Sequence, residues 1–490
     1  MTAAGTQDGM SRALLTDLYE LTMAYGYWKT GIVEDEAVFH LTFRHNPFKG
    51  GFTLACGLAT AISHMESFRF SGDDVAFLAT LWGNDGRPLF EAGFLDYLRE
   101  MRFSCDVDGI PEGTVVFPHE PMLRVKGPLI QAQILESALL NAMNFETLIA
   151  TKAARVVLAA GGDPVLEFGM RRAQGTDGAI TASRAAYIGG CAATSNVLAG
   201  KLFGIPVKGT HAHSWVMCFD EEIEAFKAYA AAMPNNCIFL VDTCDTLQGV
   251  RNAVKVGQWL REQGHQMAGI RLDSGDLVYL SIEARRILDD AGFHKTVIVA
   301  SNDLDESIIT SLKAQGACIG VWGVGTKLVT AYDQPALGGV YKLGAVRRKG
   351  GAWQYKVKLS EQAVKISTPG ILQVRRYRRG GECVADMVFD ESRPPSGDTC
   401  MIDPTDVTRR KTLTAESACE DLLVPVFRGG RRVYDAPGIE DARRRARAEL
   451  ACFHSGIKRF LNPHEYPVGL EAGLHGRKTD LILKMRGVQP

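Results

Sequence analysis

The spacing of apolar residues changes twice along this chain, and the changes divide it into three regions. In the first, Leu14, Leu18, Leu21 and Tyr25 recur at helical intervals between Ser11, a candidate N-cap, and Gly31, a candidate stop. This predicts an amphipathic helix over residues 11–30. A strand pattern follows at 37–43, then the turn-rich Asn46-Pro47-Phe48-Lys49-Gly50-Gly51. After further helical patterns, a turn at 109–113 precedes two short strands at 114–117 and 122–126, so the region reads as α+β. The second region opens on a long helical stretch, 129–160, closed by Gly161-Gly162. Short apolar strands then alternate with helix-length segments, at 165–168, 206–209, 238–241, 269–272, 297–300 and 319–322. Strands separated by helices predict βαβ units and a parallel sheet, and six in succession favour an irregular α/β barrel over an open sheet. From about Gly338 hairpin-like strands return, at 340–343, 353–359, 372–377 and 384–389, followed by a basic helix and a Pro/Gly-rich tail. The expected domains are 1–128, 129–337 and 338–490. The first and last should pack together as one flanking α/β domain beside the barrel.

Composition narrows the function classes. A formal net charge of −1 advertises neither nucleic acid nor anionic lipid as a partner. No apolar run is long enough to span a bilayer, and residues 1–10 lack the basic-then-apolar order of a secretory signal. The eleven cysteines stand singly, with no Cys-x-x-Cys pair. Several, including Cys218, Cys237 and Cys318, lie in apolar strand-like stretches, which suits core thiols in a reducing compartment. The expected setting is cytoplasmic.

The chemistry-bearing residues gather where the predicted barrel strands end, the face at which such folds hold their active sites. The six clusters run Glu167-Phe168-Gly169-Met170-Arg171-Arg172, Gly209-Thr210-His211-Ala212-His213-Ser214, Asp242-Thr243-Cys244-Asp245, Arg271-Leu272-Asp273-Ser274-Gly275-Asp276, Ser301-Asn302-Asp303 and Gly323-Val324-Gly325-Thr326-Lys327. Any one alone reads as a turn and helix cap, since Ser, Asp and Asn are favoured caps. Six in succession on one side are better explained as an active site. The small residues of the last cluster let backbone N–H groups wrap a phosphate. Arg271 and Asp273 flank a single strand residue and share a face, which suits a phosphate and a ribose hydroxyl or Mg²⁺, or else a buried ion pair. His211 and His213 also share a face on this reading, which raises zinc binding and a metal-dependent hydrolase. That alternative needs histidines at other strand ends, and His265, His294 and the remaining seven are wrongly placed. Two basic clusters read as surface: Arg375, Arg376, Arg378 and Arg379, and the helix carrying Arg443, Arg444, Arg445 and Arg447.

Several of these motifs together resemble the nicotinate phosphoribosyltransferases. They are Leu15-Thr16-Asp17-Leu18-Tyr19-Glu20-Leu21-Thr22-Met23, Phe43-Arg44 with Asn46-Pro47-Phe48, and Gly51 through Gly57-Leu58. Within the barrel stretch, Glu167-Phe168-Gly169-x-Arg171-Arg172, Gly209-Thr210-x-Ala212-His213-Ser214, Arg271 through Asp276 and Gly323-Val324-Gly325-Thr326 belong to the same set. Beyond it, Lys358-Leu359-Ser360, Lys365, Thr368-Pro369-Gly370 and Leu461-Asn462-Pro463-His464 with Tyr466-Pro467 continue the likeness, which is collinear from Leu14 to about Leu483.

The resemblance implies a type II phosphoribosyltransferase fold and a reaction joining nicotinate to phosphoribosyl diphosphate, giving nicotinate mononucleotide and diphosphate in NAD salvage. ATP hydrolysis would be coupled through a phosphohistidine at His213, with Mg²⁺ accompanying the phosphates. Tyr19 and Phe168 would sandwich the pyridine ring, Arg171 would hold its carboxylate or the nearby phosphate, and Ser214 would lie beside it. Asp242 and Arg271 would bind the phosphoribosyl group and Asp273 its hydroxyls. Arg44, Asn302, Asp303, Gly323, Gly325 and Thr326 would serve the phosphates. A homodimer is implied, with the N-terminal region of one chain completing the other's site. Related nicotinamide enzymes place an acid in the stretch resembling Cys191-Ala192-Ala193-Thr194, and its absence here favours nicotinate over nicotinamide. A nicotinamide enzyme is the nearest alternative, and a catalytically dead binding protein is the most distant. Type I phosphoribosyltransferases are disfavoured, because Asp73-Asp74 and Asp289-Asp290 lie in helical patterns and not at a strand end.

Overall fold

A computed structural model describes residues 12–488, with Ala363 described by its backbone alone. The chain divides into two units, Ile149–Pro335 and the combined stretches Met1–Leu148 and Ala336–Pro490.

The Ile149–Pro335 unit is built on a six-stranded sheet. Its order is Ala193–Thr194, Val165–Glu167, Val321–Val324, Val297–Ala300, Gly269–Leu272, Ile238–Leu240, and every neighbouring pair is parallel. The strands are short, Val/Ile-rich and mostly buried, as a sheet covered by crossover helices requires. Helices Thr246–Glu262, Leu277–Asp290 and Glu306–Ala314 follow their strands almost at once. Each is capped by an aspartate, Asp245, Asp276 or Asp305, whose side chain accepts backbone N–H groups of the first turn. The expected strand at 206–209 is only a bridge between Val207 and Thr194. Pro206 brings no N–H, so pairing is confined to Thr194 N–H on Pro206 O and Lys208 N–H on Thr194 O, both 3.0 Å. On the far side of this segment the Leu240 N–H donates to Nε2 of His211 at 3.2 Å. An imidazole thus stands where a ladder carbonyl would, and the two sheet edges meet at this seam. The last strand forms two residues later than its apolar pattern suggested.

The other unit interleaves both ends of the chain. In its seven-stranded antiparallel sheet, Glu36–Thr42 lies between Val340–Arg347 and Leu123–Pro128. A six-stranded sheet holds Leu372–Arg379 against Glu382–Asp390 and Ala418–Asp421. Several expectations are corrected here. The first helix is Leu18–Lys29, preceded by Asp17, and Ser11 lies outside the described residues. Thr16 donates to Glu20 and Ser137 to Asp17, tying down the segment before the helix. Leu18 stays exposed, and the packed face is Leu21 and Ala24, with Tyr25 against Phe94. The long helix at 129–160 is broken at Leu135 into Leu129–Ile134 and Glu136–Ala160.

Arg376 is not on the surface: it is fully buried. Strand alternation turns Arg375 outward onto Asp421 and Arg376 inward, where Asp386 and Glu449 meet it. Arg443 is buried by the same helical-face logic that leaves Arg444 exposed on Asp441. Only Cys237 of the three cysteines singled out is buried: Cys218 is exposed and Cys318 half-buried. Among the described residues no helix is long and apolar enough to cross a membrane.

Candidate active site

Two strands of the parallel sheet end in aspartates three residues apart, Asp242 with Asp245 and Asp273 with Asp276. In each pair the second caps the following helix. The first is left to turn toward the strand ends. Asp242 Oδ2 accepts the Asp273 N–H at 2.8 Å and the Ser274 hydroxyl at 2.7 Å. Its Oδ1 is buried and has no hydrogen-bond partner among the described residues. Asp273 Oδ1 accepts from Arg271 Nη2 at 3.0 Å and from the Ser301 hydroxyl. Burial pushes the Asp273 carboxyl up, but Ser301, the Arg271 charge and His213 together hold it below the usual aspartate range. Arg271 is fixed at each nitrogen, with Nε on Ser301 at 2.9 Å and Nη1 on Thr210 at 2.8 Å. It lies about 6.0 Å from the Phe168 ring centroid.

His213 is the first residue of the short helix His213–Met217. Its Nδ1 meets Thr243 Oγ1 at 3.1 Å. That leaves Nε2 facing both carboxylates, 3.8 Å from Asp273 Oδ2 and 4.0 Å from Asp242 Oδ1. The Thr243 contact occupies Nδ1 and directs Nε2 toward the strand-end carboxylates. His211 does not share this face, contrary to the alternation argument. It is buried against Tyr229, with ring centroids 4.9 Å apart, and its Nε2 is used by Leu240. Burial, despite a bond to Ala212 O, lowers its pKa. The chain at 206–211 is a seam and not a regular strand, so side chains two apart need not point the same way.

The Phe168 side of the site is set by glycines. A Cβ on Gly323 would sit 2.8 Å from Phe168 Cδ2, and one on Gly169 would strike Val329. Glycine at both positions lets the Phe168 loop lie flat on the last strand, where Phe168 N–H donates to Val324 O at 2.8 Å. Glu167, just before, is buried and takes the Ser183 and Thr194 hydroxyls and the Gly169 N–H. This internal carboxylate anchors the Ala193–Thr194 strand, which the apolar pattern missed because two residues are too short to show a period. Arg171, Ser214, Asn302 and Asp303 are exposed. Asn302 and Asp303 adopt left-handed φ of 100° and 42°, and Thr326 begins a one-turn helix after Gly325. Thr210, Thr243 and Ser301 hold the central groups in place, and nothing in the sequence beyond their presence in the clusters marks them.

Tyr19 and Arg44 belong to the other unit. Tyr19 is 44% exposed, and burial together with the charges of Glu136 and Glu20 pushes its phenol up to about 12. Arg44 is half-buried and has no hydrogen bond or ion pair among the described residues.

Models of the nicotinate phosphoribosyltransferase family match three stretches: its N-terminal domain at 14–144, its family domain at 164–355 and its C-terminal domain at 373–478. The chain is 43% identical over 485 residues to a nicotinate phosphoribosyltransferase of Bacillus subtilis, covering 97% of this chain and 96% of that one. The crystal structure of human nicotinic acid phosphoribosyltransferase superposes with a TM-score of 0.83 at 32% identity, covering 95% and 99% of the two chains. A Pyrococcus furiosus nicotinate-nucleotide pyrophosphorylase shares the fold, with a TM-score of 0.69 at 20% identity over 92% of this chain and 98% of that one. This chain belongs to the nicotinate phosphoribosyltransferase family.

Proposed function

We propose that the protein joins nicotinate to phosphoribosyl diphosphate, forming nicotinate mononucleotide and diphosphate with coupled ATP hydrolysis, as a salvage step toward NAD. The observation that carries this reading is the cluster of His213, Asp242, Arg271 and Asp273 in a chain of this family. The pyridine nitrogen attacks C1 of the ribose as the C1–O bond to diphosphate breaks. The nitrogen attacks through its lone pair and bears no proton, so the step needs no general base. What it needs is fixed charge around a cationic sugar and a departing anion. Arg271, held at three nitrogens, supplies the positive charge toward the phosphates. Asp242 and Asp273 face the sugar and its hydroxyls. The open Oδ1 of Asp242 is a hard donor of the kind Mg²⁺ prefers, and Asp242 and Asp273 with the substrate phosphates would hold the ion. Bound Mg²⁺ supplies charge neutralisation on the diphosphate.

Phe168 would stack on the pyridine, and Arg171, exposed and one turn away, would receive the carboxylate. Ser214 would lie beside the ring, while Asn302, Asp303, Gly323, Gly325 and Thr326 would line the 5-phosphate end. Nε2 of His213 is the atom that would accept the terminal phosphoryl of ATP, with ADP leaving and water later releasing phosphate; the aspartates flank the imidazole and Thr243 orients the ring. The test is an assay of purified protein with phosphoribosyl diphosphate and either nicotinate or nicotinamide, with and without ATP. Nicotinate turnover stimulated by ATP, with an acid-labile phosphoprotein lost in His213→Asn but kept in His211→Asn, is expected. Preference for nicotinamide would move the protein to the related specificity. Equal loss in both histidine variants would sink the role of His213.

The reading includes a two-fold dimer with composite sites. Its basis is the family resemblance together with the exposed apolar run Leu15, Leu18, Tyr19 and Met23, a face suited to burial against a second copy. Tyr19→Ala and His213→Ala chains, each inactive and co-folded in equal amounts, should recover about a quarter of wild-type sites if subunits mix at random. Mixed dimers as inactive as either parent would show that both residues serve one site from one chain.

A further inference from the structure

The sequence pattern pairs His211 with His213, and the proposed reaction uses only the second. Between Pro206 and Ala212 the chain forms no helix or strand. On one side this segment is held by the two backbone hydrogen bonds with Thr194, both 3.0 Å. On the other side, among the described residues, no backbone–backbone hydrogen bond joins it to strand Ile238–Leu240. The contact there is the Leu240 N–H on Nε2 of His211 at 3.2 Å. A backbone N–H can only donate, so Nε2 presents its lone pair and Nδ1 carries the proton, toward Ala212 O at 3.3 Å. Tyr229 packs edge-on to the ring with centroids 4.9 Å apart, and Phe226 of the same helix, Glu222–Ala232, lies at 6.1 Å. Leu240 is fully buried, so without the imidazole its N–H would be an orphan donor.

Both ends of this one hydrogen bond lie next to the site. Leu240 pairs in register with Arg271 and stands two residues before Asp242. On the histidine's own segment, the preceding Thr210 donates its hydroxyl to His211 O at 3.2 Å and accepts Arg271 Nη1 at 2.8 Å. Two residues after His211 comes His213, whose Nε2 lies 3.8 Å from Asp273 Oδ2 and 4.0 Å from Asp242 Oδ1. The Phe168 and Arg171 side has a separate support, the buried Glu167 with the Ser183 and Thr194 hydroxyls and the Gly169 N–H. All of these residues belong to the Ile149–Pro335 unit.

We propose that His211 is a positioning residue: its side chain is the joint that docks segment 206–213 onto strand Ile238–Leu240, and so sets Thr210 on Arg271 and His213 against the two aspartates. The role in turnover rests on the reaction proposed above, while the joint itself does not. The test compares full-length wild type with His211→Leu and His211→Gln by hydrogen–deuterium exchange and by initial rates. Leucine fills the space without an acceptor, and glutamine offers an amide oxygen at similar reach. In His211→Leu the peptide spanning 238–242 should exchange about tenfold faster than in wild type. Its kcat for nicotinate mononucleotide should fall about tenfold, with the KM for nicotinate within about twofold of wild type. His211→Gln should recover both exchange and kcat to within about threefold. The acid-labile phosphoprotein should still form in both variants, more slowly in His211→Leu. Unchanged exchange in His211→Leu would overturn the joint. A glutamine variant as slow as the leucine one, or a nicotinate KM that rises in step with the fall in kcat, would reduce His211 to packing and overturn the positioning role. A wild type that makes no nicotinate mononucleotide would refute the assigned reaction and with it the role in turnover, and the exchange rates would still decide the joint.

Discussion

Two arginines of this chain are each gripped by carboxylates, and they differ in what is left over. Arg376 is fully buried, and every one of its nitrogens is taken: Nε and Nη2 by Asp386, Nη1 by Glu449, and Nη2 also by the Val115 carbonyl. Tyr466 closes the outer side of Asp386 at 2.9 Å. Arg271 is as well held, but its surroundings are not closed. Asp242 Oδ1 has no hydrogen-bond partner among the described residues, and His213 turns Nε2 toward two carboxylates while 40% of its side chain meets solvent. The first arrangement lies wholly in a closed core, and the second leaves a carboxylate oxygen open beside a histidine that meets solvent. Buried charge alone does not mark a functional site; open valence next to a group that solvent reaches is the better mark.

The comparison breaks first on stability. Arg376→Met would leave Asp386 buried without its cation and Glu449 with Arg378 alone, costing about 3–5 kcal/mol of unfolding free energy in a denaturant titration. Arg271→Met should cost less than about 2 kcal/mol, because Asp273 keeps Ser301 and gains access to water. Equal costs would erase the distinction. Catalysis should respond in the opposite sense. Arg271→Gln is expected to lower kcat by a factor corresponding to about 2.7–4 kcal/mol of transition-state stabilisation, while a correctly folded Arg375→Gln control should stay near wild type. Next in size is Arg171→Ala, expected to raise the KM for nicotinate by about 1.5–3 kcal/mol in binding terms and that for phosphoribosyl diphosphate far less. Equal weakening of both would place Arg171 on the phosphoribosyl group.

Acid sharpens the contrast further. His40 is buried in the closed unit, accepts the Leu372 N–H at 3.1 Å, and has its pKa pushed down to about 3 by burial and by Arg124. Its folded value lies below its unfolded value, so the stability it confers is complete above about pH 6.5 and is lost as pH falls toward 3, at up to about 1.4 kcal/mol per pH unit. His40→Gln, which keeps an acceptor, should flatten that slope in unfolding curves measured between pH 4 and 7. A slope unchanged by the substitution would mean that His40 already carries a proton in the folded chain.

Much of this was legible in the residues. The alternation of short Val/Ile strands with helices placed the parallel sheet, and the strand-end clusters contained His213, Asp242, Arg271 and Asp273 before any coordinates. The sequence could not tell which aspartate of each pair caps a helix and which faces the site, because the two differ only in how the backbone leaves the strand. His211 was misplaced for a related reason. Alternation holds along a regular strand, and the segment carrying it is a seam with one bridge. Arg376 looked like one of four surface arginines because its partners, Asp386 and Glu449, lie 10 and 73 residues away. Long-range pairing of that kind leaves no local signature.

The central claim is that the open valence beside Arg271 is where the chemistry happens, and Asp242→Asn probes it most directly. The substitution is nearly isosteric. It keeps an oxygen for the Asp273 N–H and removes only the charge facing His213. The measurement is the initial rate of nicotinate mononucleotide formation at saturating substrates, beside an unfolding curve for the same preparation. The account predicts a fall of about 10²–10³ in rate with stability changed by less than about 1 kcal/mol. A variant that turns over at the wild-type rate would contradict it.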